Sequence, residues 1–157
     1  MHRAIEPHSF GFLLTDLARL FRAEFDRRIA ESGLGLTAGE ARTLAHIARA
    51  EGERQGVLAE RLSIEAMSLS AMIDRLEAQG LVTRERDPAD RRAKCISLTP
   101  LADEMLLRVT ALAREISEEA SRGIAKSDWD KASEVLRQAR LNMMEVRARP
   151  AAKDDAA

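Results

Sequence analysis

Two short runs in this chain alternate with a period of two, LVTRER (81–86) and KCISL (94–98), while the segments around them repeat apolar residues at helical spacing. That contrast constrains the fold more than any other feature. A period of two is the pattern of a strand with one covered face, and two such runs joined by a loop make a hairpin. The connecting stretch DPADRRAK (87–94) is too long for a tight two-residue turn. It gathers Asp87, Asp90, Arg91, Arg92 and Lys94 around Pro88, in a chain whose formal net charge is only −1. A solvated loop is one reading of this tip, and a device for meeting phosphate is the other.

The rest of the chain reads as helices. Phe10, Leu13, Leu14, Leu17, Phe21, Phe25 and Ile29 recur at helical spacing from about Ser9 to Ser32, and Gly33 and Gly35 end that run. A second helix opens with TAGE, where Thr37 and Glu40 have the spacing of a capping box. QGVLAERL (55–62) fits two helical turns, and EAMSLSAMIDRLEAQG (65–80) is a helix with Leu69, Met72, Ile73 and Leu76 on one face. After the hairpin, Thr99 is placed to cap a fifth helix that runs to about Arg122, and Ser127 with Asp130 repeats the capping-box spacing at a sixth. The fold class is therefore mainly α with a small β-hairpin: a winged helix-turn-helix domain plus long terminal helices. Residues 37–98 form the winged domain, 1–36 and 99–147 a helical dimerisation region, and 148–157 a disordered tail.

The first, fifth and sixth helices carry apolar stripes wider than a small winged domain covers. The simplest partner for such stripes is a second copy of the chain across a two-fold axis. No run of about 18 apolar residues is present and the start lacks the apolar segment of a signal peptide, so no membrane association and a cytoplasmic location are expected. The single cysteine, Cys95, excludes an internal disulfide framework.

In a helix-turn-helix the second helix enters the major groove of double-stranded DNA with its first residues against base edges. Here those residues are Ala66, Met67, Ser68, Ser70 and Ala71: two hydroxyls and three apolar side chains, with no Arg, Lys, Asn or Gln. The hairpin adds charge through Arg84, Arg86, Arg91, Arg92 and Lys94, and an arginine on such a wing suits the negative potential of a narrow minor groove. Asp90 is suited to holding a neighbouring guanidinium in one pose. Arg54, at the entry to the short helix, is a further phosphate candidate.

The stretch LAERLSIEAMSLSAMIDRLEAQGLVTRERDPADRRAKCISLT resembles the DNA-binding segment of the MarR family of bacterial regulators, and DLARLFR together with DRRAK looks most like its SlyA branch. The resemblance implies a homodimeric transcription regulator, often a repressor, on a pseudo-palindromic operator. It carries Ser68 and Ser70 over as recognition-helix contacts, Arg92 as the wing-tip arginine, Asp90 as its support and Arg91 as its neighbour. The chain departs from the SlyA pattern at Ala71, where an arginine is usual, and at Met67, where a proline is usual. Dependence on the wing and on DNA shape, with A/T-rich sites, is expected in consequence. The family's effector cleft, between the winged domain and the dimer helices, implies a small anionic aromatic or phenolic ligand near Arg19, Arg22, Arg42 and His46.

No nucleophile motif, phosphate loop or metal-ligand spacing occurs, so neither enzyme activity nor a cofactor is expected. Arg92 and Lys94 near Cys95 suggest a lowered thiol pKa, against which a half-buried strand cysteine is the plainer reading. The alternative function is a winged-helix module whose basic tip meets an acidic protein partner without binding DNA.

Overall fold

The computed structural model describes residues 9–90 and 93–148; the wing-tip pair Arg91 and Arg92, and the expected tail from residue 149 onward, lie outside the described residues. In chain order the elements are α1 (Phe10–Glu31), α2 (Ala38–Arg49), β1 (Glu53–Arg54), α3 (Gln55–Leu62), α4 (Ala66–Ala78), β2 (Val82–Arg86), β3 (Lys94–Leu98), α5 (Ala102–Ala120) and α6 (Lys126–Ala148). The chain divides into one compact unit that ends at Ile116 and a second that begins at Ser117.

The core of the first unit is assembled from one face of each element. Leu69, Ile73 and Leu76 follow the i, i+4, i+7 spacing on α4 and are fully buried with Leu44 and Ile47 of α2, Leu58 of α3 and Ile96 of β3. Each such side chain contributes about 1.5–3 kcal/mol relative to exposure. At the start of α2 the capping box is present in full: Glu40 N–H donates to Thr37 Oγ1 at 3.2 Å and Thr37 N–H donates to Glu40 Oε2 at 2.7 Å. Between α3 and α4, Ser63 takes a left-handed backbone (φ 53°), an uncommon conformation for a residue with a Cβ, and thereby turns one helix across the other.

Helix α4 ends in a Schellman motif. Gly80 (φ +72°) donates its N–H to the Glu77 carbonyl at 2.9 Å, and Leu81 donates to the Leu76 carbonyl at 2.9 Å. The chain leaves this turn directly into β2. Thr99 is engaged here rather than in the capping role expected of its side chain: its hydroxyl donates to the Gly80 carbonyl at 2.6 Å and its N–H to the Leu81 carbonyl at 3.1 Å. It pins the far end of the hairpin to the end of α4, and α5 begins three residues later.

The hairpin is the larger part of a three-stranded antiparallel sheet with order β1-β3-β2. β2 and β3 pair from Val82↔Leu98 to Arg86↔Lys94. The third strand, β1, pairs Glu53 with Ile96 and Arg54 with Cys95. Two residues are too few to show an alternation, so sequence periodicity contains no sign of it.

In the second unit α6 starts at Lys126, which places Ser127 inside the first turn rather than at the cap, and Asp130 accepts a hydrogen bond from Lys126 Nζ at 2.5 Å. None of its residues is buried, and Val135, Leu136, Leu141, Met143, Met144 and Val146 are exposed. No helix among the described residues is long and apolar enough to cross a membrane.

Candidate nucleic-acid interface

Burying Leu69, Ile73 and Leu76 turns the opposite face of α4 outward. Ala66, Met67, Ser68 and Ala71 are exposed, and Ser70 is half-buried. Met67 is the extreme case at 84 % exposure. The N-cap Glu65 makes no side-chain capping bond, so the first backbone N–H groups of α4 have no side-chain acceptor from the cap. A cleft of about 320 Å³ opens between the start of α3, the first turns of α4 and the hairpin. It is lined by Arg54, Gln55, Gly56, Ala66, Ser70, Ala93 and Lys94, so it brings together four residues singled out from sequence.

The base of the wing is organised by Asp87. Asp87 is 8 % exposed. Oδ2 accepts from Arg54 Nε at 2.5 Å, while Oδ1 accepts from the N–H groups of Ala89 at 2.7 Å and Asp90 at 3.0 Å. The Asp-Pro step signals a turn in the sequence, but nothing in the sequence indicates that the same carboxylate reaches Arg54. The guanidinium of Arg54, followed by the two turn N–H groups, holds the Asp87 carboxyl at a pKa of about 2. The pairing raises the Arg54 pKa in return. Arg54 is thus a structural tie whose guanidinium is still about half exposed beside the cleft.

Arg84 departs from the expectation drawn for it. Period two along β2 puts it on the face of Val82, toward α4. Its Nη1 lies 2.5 Å from Asp74 Oδ1 and 2.9 Å from Glu77 Oε2, and Nη2 donates to the Ser70 carbonyl at 3.1 Å. The side chain is only 13 % exposed. Arg84 therefore welds the hairpin to α4 instead of facing solvent. Arg86 and Lys94, cross-strand neighbours further out, are the exposed cations of the described wing. Asp90 lies at the tip, where its carbonyl accepts from Ala93 N–H at 2.9 Å.

Cys95 is half-buried on β3, with its sulfur 3.7 Å from Asp87 Oδ2. Burial and then the Asp87 charge push the thiol pKa up, the reverse of a thiolate activated by neighbouring cations. Among the described residues no group of three or more His, Cys, Asp or Glu side chains is placed to hold a metal ion.

The sequence pattern of the MarR family matches residues 34–93. The solved structure of transcriptional regulator PA3341 is 35 % identical, with a TM-score of 0.68 over 87 % of this chain and 98 % of that one. The chain belongs to the MarR family. Apo MarR from E. coli (21 % identity, TM-score 0.70, 83 % of this chain and 95 % of that one) shares the fold. So does BpsR of Bordetella bronchiseptica (23 % identity, TM-score 0.67, 87 % and 96 %). Among the described residues, six helices and a small antiparallel sheet give the winged-helix fold of MarR-family transcription regulators.

In this MarR-family chain a second concavity of about 290 Å³ lies between α1, α2 and α5. Of the four effector candidates, Arg22, Arg42 and His46 line it, and Arg19 does not: Arg19 lies 3.8 Å from Asp16 on the surface of α1. Sequence reasoning missed the remainder of the wall: Phe21, Phe25, Ala45, Arg49, Ala113 and Ile116. Their signal is present only as helical periodicity, which marks Phe21 and Phe25 as inward-facing without saying that a space remains beside them. Arg42 is ion-paired with Asp26. Burial, and then the charges of Arg49 and Arg61, push the His46 pKa below its ordinary value. Two aromatic rings beside guanidinium groups suit a planar anion.

Proposed function

We propose that this protein is a homodimeric, sequence-specific, double-stranded DNA-binding regulator, acting as a repressor on a pseudo-palindromic operator. The observation that carries the reading is the exposed first turns of α4 standing beside the cleft that Arg54 and Lys94 line. A helix in that attitude presents its first residues to the major groove while the adjoining cations meet phosphate. Arg91 and Arg92, from the sequence alone, extend the same basic edge toward a minor groove. The wording of α1 and of the wing supports a place near the SlyA branch.

Dimerisation is supported by α1. Phe10, Phe12, Leu13, Leu14, Leu17 and Leu20 are all exposed in one protomer. A patch of that kind is costly in water and is the sort of surface a second copy covers. Residues 1–36 and 99–147 would supply the dimerisation region, and 37–98 the DNA-binding domain.

Release by a small anionic aromatic ligand is the third part of the proposal. The cavity between α1, α2 and α5 has the volume and lining for one. For BpsR, regulation of DNA binding by 6-hydroxynicotinic acid, an aromatic carboxylic acid, has been described. Ligand binding there would act by favouring a protomer spacing that cannot enter two successive major grooves.

The experiment is selection of bound fragments from randomised duplex DNA at fixed salt, with Arg92→Ala alongside. A pseudo-palindrome recovered by the wild type and lost or greatly weakened with the variant is the expected result. Recovery of no motif by either protein would overturn the reading in favour of an acidic protein partner, and competition by duplex DNA would then leave that partner in place.

A further inference from the structure

The first turns of helix α4 lack every side chain that ordinarily reads a base by paired hydrogen bonds. They hold Ala66, Met67, Ser68, Ser70 and Ala71. The arginine further along the helix and the one bonded to its backbone are already committed: Arg75 is ion-paired with Glu40, and Arg84 is bonded to Asp74, Glu77 and the Ser70 carbonyl. On the same helix every other large aliphatic side chain is wholly or partly covered, with Leu69, Ile73 and Leu76 at 0 % exposure and Met72 half-buried. Met67 alone stands in water, in the second position of the helix, at 84 % exposure.

The major groove has one apolar feature, the 5-methyl group of thymine. A long, unbranched, polarisable side chain adapts its rotamers to such a contact with little strain. We infer, resting on the DNA-binding reading above, that Met67 is the specificity-determining residue of the recognition helix and that it reads a thymine methyl by apolar contact. Ser68 and Ser70 then fix the register through hydroxyl bonds to phosphate or base edges, and the wing supplies most of the affinity. The helix discriminates a methylated from an unmethylated pyrimidine at one position of each half-site. Since 5-methylcytosine carries the same methyl at the same place, it substitutes there for thymine better than cytosine does.

The test replaces thymine by deoxyuridine, one position at a time, in the operator recovered by selection. Binding is measured for the wild type, Met67→Ala and Met67→Gln. Burying one methyl corresponds to roughly a fourfold affinity change, and about fifteenfold when both half-sites are altered. The wild type should show that loss at one symmetry-related pair of positions, and 5-methylcytosine there should bind more tightly than cytosine. Met67→Ala should bind the thymine and deoxyuridine operators alike. Met67→Gln should move the preference at that position toward adenine, which a merely structural methionine would not do. Tight operator binding with no sensitivity to deoxyuridine, or a sensitivity that survives in Met67→Ala, would overturn the assignment while leaving DNA binding intact. Failure of the wild type to bind any duplex would overturn both.

Discussion

Arg54 Nε donates to Asp87 Oδ2 at 2.5 Å across 33 residues of sequence, and this bond joins the entry of α3 to the base of the wing. The two elements that would flank the recognition helix on DNA are therefore one mechanical piece. The same carboxylate caps the wing-tip turn through Ala89 and Asp90. A depressed native pKa makes the linkage directional: the carboxyl falls from 3.8 to about 2 on folding, so its stabilisation is present above about pH 4 and is lost as the pH drops toward 2. Acid titration of wild type and Asp87→Asn by circular dichroism should show the wild type more stable at neutral pH. The difference should close between those two values. A stability gap that stayed constant down to pH 2 would assign the role of Asp87 to packing rather than to its charge.

Arg84 and the outer cations should separate by salt dependence. Each phosphate contact removed lowers the slope of log K against log salt by about one. Arg86→Ala and Lys94→Ala should do so, because both side chains are exposed at the outer end of the hairpin. Arg84→Ala should leave the slope unchanged, since its guanidinium is spent on Asp74, Glu77 and Ser70. It should instead lower unfolding stability by about 1–3 kcal/mol and weaken binding by loosening the wing from α4. Arg84→Lys should rescue little, because one ammonium cannot keep the forked geometry. A slope reduced by Arg84→Ala would return that residue to the phosphate contacts.

Glu40 is 2 % exposed, yet it accepts from Thr37 N–H and from Arg75. Burial alone would raise its pKa, and the bonds from Arg75 and Thr37 outweigh that and lower it. Arg75→Ala leaves the carboxylate buried with its main cation gone, and should cost about 1–3 kcal/mol in urea unfolding. Thr37→Ala removes the cap and should cost about 1 kcal/mol. The double variant should deviate from the sum, because both changes act on one carboxylate. Strict additivity would mean that Arg75 and Thr37 do not share Glu40.

Much of this arrangement is legible in the sequence. The capping box at Thr37 and Glu40, the inner face of α4 and the two strands of the hairpin follow from spacing alone, because local hydrogen bonds and periodic burial decide them. The elements that escape are those decided by distant partners. β1 exists because Glu53 and Arg54 meet β3, and its two residues carry no period. Thr99 has the chemistry of an N-cap, but α5 starts three residues beyond it, and its hydroxyl donates to the Gly80 carbonyl once the hairpin closes. Arg84 shows the difference most clearly. Counting charge groups it with Arg86, whereas counting strand positions places it beside Val82 on the covered face, and the alternation was the better guide. The cavity is the least legible feature: Arg22, Arg42 and His46 were reachable by resemblance, but Arg49, Ala113 and Ile116 join them only through helix packing.

The cavity yields the last prediction. An aromatic carboxylate should bind with its ring against Phe21 and Phe25 and its charge toward Arg22 and Arg49, which, among the described residues, form no ion pair of their own. Arg22→Ala or Arg49→Ala should weaken such a ligand by about tenfold, the value of a charge-assisted hydrogen bond of about 1.5 kcal/mol. Arg19→Ala, outside the lining, should leave it unchanged, as calorimetric titration with a panel of hydroxybenzoates and hydroxypyridine carboxylates can measure. The depressed His46 pKa adds a pH signature. The unfolded chain binds that proton more readily than the native one, so stability is complete above about pH 6.5 and falls as the pH drops through the native pKa. A bound carboxylate should offset that loss by favouring the charged imidazole, so ligand affinity should rise over the same interval. His46→Gln should abolish the rise while keeping binding at pH 8. Equal affinity of wild type at pH 8 and pH 5.5 would remove His46 from the ligand's surroundings.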